Sequence, residues 1–282
     1  MKKYIKPFLL PFAYFLFTFM MMAAVALCLF CVKYDSIVFS SVEWNDWGDN
    51  YVELMQPYLW VHPVGSGLLL LLFAYFLKMS NFKHAFDFKN IDWRTVWIPI
   101  VGATFSIWSI GHLYSILDYF NLAKNSNSDV KIDSVMNAFM TLCFGSVFVA
   151  MVFREAVVRY LLSKGTSLLH ACICSVFCYS ILYLYDYMQL PYVLLQGTVF
   201  VILYVKTGSV VLETIFLFLM FVFRFLISPT IGIDYELPLI YHVVLFIVVT
   251  PPAIFLLWKF WKTPIPDGRC TPFDSVNVES VS

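Results

Sequence analysis

The chain has 282 residues, 61% of them hydrophobic and 13% charged, against roughly 25% charge in an ordinary soluble domain, which excludes a water-soluble globule as the default. Eighteen basic and eighteen acidic residues give a formal net charge of zero, so nothing points to a polyanionic partner such as nucleic acid. Any charge signal lies in where the ionisable residues fall.

A helix rises about 1.5 Å per residue, so crossing a hydrocarbon layer of about 30 Å takes about 20 apolar residues. In chain order, the stretches 7–32, 58–77, 96–116, 135–153, 166–185, 190–205, 209–227 and 238–258 meet that requirement. They predict an all-α polytopic membrane bundle of about eight transmembrane helices, with no room for a separate soluble domain. The first stretch follows Met1-Lys2-Lys3. It is longer than the apolar region of a signal peptide and lacks a small-x-small cleavage site, so it is expected to be a retained helix. Leu27 before Cys28 stands where a lipoprotein box needs a tiny residue, which argues against lipidation. Residues 34–58, with Trp44, Trp47 and several carboxylates, suit an interfacial stretch, and a dock for a cationic peptide is the alternative. The tail, 263–282, carries Pro264, Pro266, Gly268 and many small polar residues and is expected to be disordered. The chain thus divides into three N-terminal membrane helices and their loops (1–135), a membrane core (136–262) and a tail (263–282).

Orientation follows from lysine and arginine, which are in excess in cytoplasmic loops. One set of alternate loops holds fourteen of the eighteen, from Lys2, Lys3 and Lys6 through Lys78, Arg94, Arg154, Arg159, Lys164 and Lys206 to Lys259, Lys262 and Arg269. The other set holds Lys33, Lys124 and Lys131 among carboxylates such as Asp35, Glu43, Asp118, Asp186 and Glu236. Both termini are therefore expected in the cytoplasm. Tryptophans fall near the expected boundaries, as interfacial anchors do, with Trp108 alone deep.

Seven cysteines give no metal or disulfide pattern. Cys28 and Cys31 form a CxxC inside an apolar helix, without the βαβ context of a redox motif, and Cys172, Cys174 and Cys178 suit packing as small hydrophobes. The five histidines include no HExxH. His62, His112 and His242 are expected toward the outer half, His84 in an inner loop and His170 near an inner helix end.

Charge inside a span costs about 2.5 to 3.5 kcal/mol on insertion scales, so intramembrane ionisable residues are functional candidates. They are Arg154, Glu155 and Arg159 at the inner end of the fourth helix, and Glu213 and Arg224 in the seventh. Glu155 and Arg159 are four apart and share a helix face. Glu213 lies about one turn above the inner start of its helix, at a depth where Arg154 or Arg159 could meet it. Arg224 is about 16 Å further along the axis and is expected to snorkel outward.

The segment Phe153-Arg154-Glu155-Ala156-Val157-Val158-Arg159-Tyr160-Leu161-Leu162 resembles the EExxxR helix of the CPBP (CAAX-protease and bacteriocin-processing) intramembrane metalloproteases, also called the Abi or type II CAAX endopeptidase family. Ser175 to Ile181 resembles that family's small-x-x-Phe-x-x-x-His segment, and Gly197 through Thr207-Gly208-Ser209 resembles its helix, short turn and TGS opening of the next span. The resemblance covers roughly residues 140–225, in the family's order. It implies a multi-pass protein of a bacterial inner membrane, with Glu155 and Arg159 as remnants of the catalytic motif and zinc or another divalent metal as cofactor if the chemistry survives.

The departures matter more. Arg154 replaces the glutamate that the family uses to activate water, the family's histidine falls on Ile181, and its later histidine and asparagine fall on Leu217 and Phe221. Peptide hydrolysis needs an activated water and a group that stabilises the oxyanion, which isoleucine, leucine and phenylalanine do not supply. The expectation is a family scaffold with an emptied site and no cofactor, glued by an Arg154–Glu213 ion pair beside Glu155–Arg159. The alternative is that both arginines snorkel to the interface with Lys164. Its expected partners are the bilayer and a peptide or another membrane protein, in a regulatory or bacteriocin-immunity-like role. Three rivals remain. An active divergent metalloprotease would draw on Glu155 or Glu213 with His170. A small-solute transporter would need broken helices, for which Pro191, Gly197, Pro251 and Pro252 are available. Rhomboid-like or presenilin-like chemistry would rest on Val64-Gly65-Ser66-Gly67 or Asp186.

Overall fold

The computed structural model describes residues 2–34, 58, 60–120, 135–184, 189–222, 238–264 and 272–273. Eight helices follow one another among the described residues, which contain no strand: α1 (Lys2–Tyr34), α2 (Val61–Phe76), α3 (Trp97–Tyr119), α4 (residues 135–163), α5 (Leu168–Ile181), α6 (Leu190–Thr207), α7 (Val211–Phe221) and α8 (Leu239–Lys262). Four are long and apolar enough to cross a membrane, namely α1 over Lys3–Leu29, α3, α6 and α8, while α2, α5 and α7 are shorter apolar helices. Arg224, Asp186, Trp44, Trp47, Lys124 and Lys131 lie outside the described residues.

The outer surface is greasy where a water-soluble protein would be polar. On α1, Phe12 is 65% and Phe19 72% exposed, and on α8, Ile247 is 62% and Ile254 64% exposed. Such a surface is at home against hydrocarbon, where lipid-facing side chains need no polar cover. Prolines inside α1 (Pro7, Pro11) and α8 (Pro251, Pro252) leave both helices continuous, as membrane helices allow.

Packing runs α1 against α2, α2 against α4, α4 against α5, α5 against α6, and α6 against α3 and α7, with α3 laid most extensively along α8. Small residues set the close approaches. A Cβ at Gly67 would lie 2.9 Å from the Phe148 Cβ, and one at Gly145 would lie 3.1 Å from the Pro63 Cβ, so α2 and α4 meet through glycine and proline as small-residue seams in membranes do.

Helix α4 is not a regular α-helix. It passes through two π-helical stretches, Thr141–Gly145 and Met151–Ala156, before ending as α-helix over Val157–Ser163. Such wide turns are rare and concentrate at functional sites. The second holds Arg154 and Glu155, and all six of its residues are buried.

Contacts gather one end of the bundle. The Lys6 ammonium donates to the Leu77 carbonyl (2.7 Å), Lys206 Nζ to the Trp261 carbonyl (2.9 Å), and the Asn90 amide to the Thr207 carbonyl (3.0 Å). The start of α1, the ends of α2, α6 and α8, and the 77–96 connection therefore meet on the side that carries the basic residues. That connection forms a floor: the Ala85 carbonyl accepts from the Val210 amide (2.8 Å) and the Ser209 hydroxyl (2.9 Å), which ties it to the start of α7.

Candidate functional site

Arg154 and Glu155 leave the wide turn of α4 into two adjoining polar nests. Arg154 is wholly buried, so it does not snorkel. Its guanidinium stands over the Tyr179 ring at 4.8 Å to the centroid and donates through Nη1 to Ser175 Oγ at 3.4 Å. Ser175 in turn donates to the Phe153 carbonyl at 2.6 Å, which fixes the hydroxyl with its lone pairs toward the arginine. Arg154 Nε lies 3.7 Å from Glu213 Oε2, both side chains being at most 5% exposed. The pair thus joins α4 to the first turn of α7. Gly197 makes the room: a Cβ there would meet the Tyr179 ring at 3.3 Å and Arg154 Nη2 at 3.8 Å.

Glu155, also wholly buried, is engaged at both oxygens. Oε1 sits 2.8 Å from Arg159 Nε and accepts a longer bond from the Ser80 hydroxyl at 3.4 Å, while Oε2 accepts from the Tyr204 hydroxyl at 2.8 Å. Arg159 donates through Nη2 to the Gly208 carbonyl at 3.1 Å. Gly208 ends α6 in the left-handed region, φ +68°, where glycine carries no steric penalty. The second nest therefore draws on α4, α6 and the 77–96 floor.

Of the positions that the resemblance singles out, Leu217 and Phe221 are buried on α7 and Ile181 is half-buried at the end of α5. Phe221 packs edge-on against Phe139 at 5.3 Å. Among the described residues no three of His, Cys, Asp and Glu come together as metal ligands. Isoleucine, leucine and phenylalanine carry no donor atom for a metal, so the family's ion does not fit these residues. His170, the histidine needed by a divergent metalloprotease, pairs locally with the Ser167 hydroxyl at 2.6 Å.

The other motifs take structural places. Ser66 is wholly buried, donates back to the His62 carbonyl one turn earlier and accepts from the Thr18 hydroxyl at 3.1 Å, so the GSG run is an α1–α2 seam. Cys174 and Cys178 stand 4.0 Å apart at sulfur and are free thiols, as are Cys28, Cys143 and Cys172. Trp108, half exposed, lies beside His112 at 5.7 Å.

Sequence reasoning missed four partners. Tyr204, Ser80 and Gly208 complete the Glu155 nest from segments far along the chain. The fourth is Phe273. The sequence predicts disorder over the whole tail, 263–282, and Pro272 and Phe273 depart from that expectation: the Phe273 ring is 2% exposed, 5.1 Å from the Arg159 guanidinium carbon and 5.7 Å from the Tyr204 ring. Sequence reasoning puts His112 and His242 both toward the outer half without pairing them, and their Nδ1 atoms are 3.0 Å from each other between α3 and α8.

Comparison of the chain with protein-family models, with curated proteins and with solved structures gives no match.

Proposed function

We propose that the chain is a multi-pass protein of a bacterial inner membrane, with its basic end in the cytoplasm, and that it binds or regulates a peptide or another membrane protein on a CPBP-like outline without hydrolysing it. The engagement of Glu155 carries this reading. A general base needs a carboxylate oxygen within hydrogen-bond reach of the water it activates, and here one oxygen is held by a guanidinium and the other by a phenol, inside a fully buried side chain. Arg154 adds a positive charge where a water-activating group would have to be negative, and Glu213 neutralises it. Such cross-links fix four helices relative to one another, the property of a scaffold that presents a surface.

The test is cleavage of a prenylated peptide and of a leader peptide by the purified protein in lipid nanodiscs, beside Glu155→Ala and Glu213→Ala. The expected result is no cleavage by any of the three. Cleavage by the unsubstituted protein that either substitution abolishes would overturn the reading.

A further inference from the structure

The recess that holds Phe273 is built entirely from elements distant in sequence. Its floor is the Tyr204 ring of α6, one wall is the Arg159 guanidinium of α4, and its rim is the left-handed Gly208. Each piece selects for something. Pairing with Glu155 leaves the face of the Arg159 guanidinium free to lie on an aromatic ring, an attraction that any aromatic side chain satisfies. A Cβ on Gly208 would stand 3.2 Å from Pro272 Cγ and 3.3 Å from Pro272 Cβ, so the glycine makes the seat for a proline. Proline arrives with φ already fixed, which lowers the ordering cost of the segment that carries it. Arg159, at 30% side-chain exposure, is the most accessible member of the charged cluster, and the Phe273 ring lies on it.

We propose that this recess is a docking site for a proline–aromatic peptide and that Pro272-Phe273 is its resident ligand in cis, a strap that covers the Glu155–Arg159 nest until it is displaced. The inference rests on the binding-scaffold reading only in giving the recess a purpose, and its test involves no proteolysis, so either can fail alone.

The full chain is prepared in nanodiscs with p-benzoylphenylalanine in place of Phe273 and irradiated with and without a synthetic peptide of residues 268–278. The expected result is an intrachain cross-link to the segments carrying Arg159 or Tyr204, suppressed by the peptide and not by the same peptide with Phe273→Ala. Cross-links to lipid or to other segments overturn the proposal. A correct cross-link that the peptide never suppresses overturns it too, because the ring is then permanent core. A second readout avoids the bulky probe: in Phe273→Ala the Gly208 amide, bonded to the Tyr204 carbonyl at 2.6 Å, should exchange with solvent about tenfold faster, the size expected when a buried aromatic anchor is lost. Equal exchange in the two proteins also overturns it.

Discussion

Removing the carboxylate of Glu213 should be far more harmful than removing both members of the Arg154–Glu213 pair together. At 3.7 Å between Nε and Oε2, the attraction at an effective dielectric of about 20 is about 4.5 kcal/mol before desolvation is charged against it. In Glu213→Leu, Arg154 keeps its Ser175 contact and the Tyr179 ring but loses its counter-charge, and a broken buried pair typically costs about 3 to 5 kcal/mol. Arg154→Met with Glu213 intact strands the carboxylate and should cost a similar amount. The double substitution removes both desolvation penalties. It should lie within about 1 to 2 kcal/mol of the unsubstituted protein, since apolar replacements of buried pairs are often near neutral. The assay is reversible unfolding in mixed SDS and detergent micelles for all four proteins, read as a double-mutant cycle. These figures imply a coupling of at least about 4 kcal/mol, and single-substitution effects that add within about 0.5 kcal/mol would refute the claim that these two groups hold each other.

Tyr204→Phe deletes a 2.8 Å bond to a buried carboxylate and should cost about 1.5 to 3 kcal/mol in the same assay, whereas Ser80→Ala, at 3.4 Å, should cost less; the reverse order would place the Glu155 charge toward the floor. Gly208→Ala forces a Cβ onto φ +68° and toward Pro272 and should lower stability by about 1 to 2 kcal/mol, measured by the shift of the unfolding midpoint. Gly67→Ala drives a Cβ to 2.9 Å from Phe148, so a loss of about 1 to 3 kcal/mol is expected from overpacking of the α2–α4 seam, and an unchanged midpoint would show that the seam yields.

The helices were legible because lipid demands long apolar runs: α1, α3, α6 and α8 fall within a few residues of 7–32, 96–116, 190–205 and 238–258. Arg154, Glu155, Arg159 and Glu213 stood out for the opposite reason, as charges in an apolar sequence, and helix arithmetic was enough to put Glu213 within reach of α4. What stayed hidden were partners whose residue types are ordinary anywhere. A tyrosine in an apolar helix, a serine in a polar connection and a phenylalanine in a hydrophilic tail give no periodicity or spacing to read, and only the three-dimensional return of residues 77–96 and 272–273 brings Ser80 and Phe273 to α4. The wide turns of α4 were hidden as well, because a π turn has no strong sequence preference to announce it.

Those wide turns make residue count in α4 a structural quantity. Gly145 is clamped to Pro63 at one end and Arg159 to Gly208 at the other, and between them the chain carries slack that a regular helix lacks. Deleting one residue within Met151–Ala156 removes a buried side chain and, where the wide turn does not tighten to absorb the loss, swings the buried side chains of the lower part of the helix by about 100°, the angle of one α-helical step. The two clamps then cannot both close, so α4 behaves less like a rod than like a spacer cut to length.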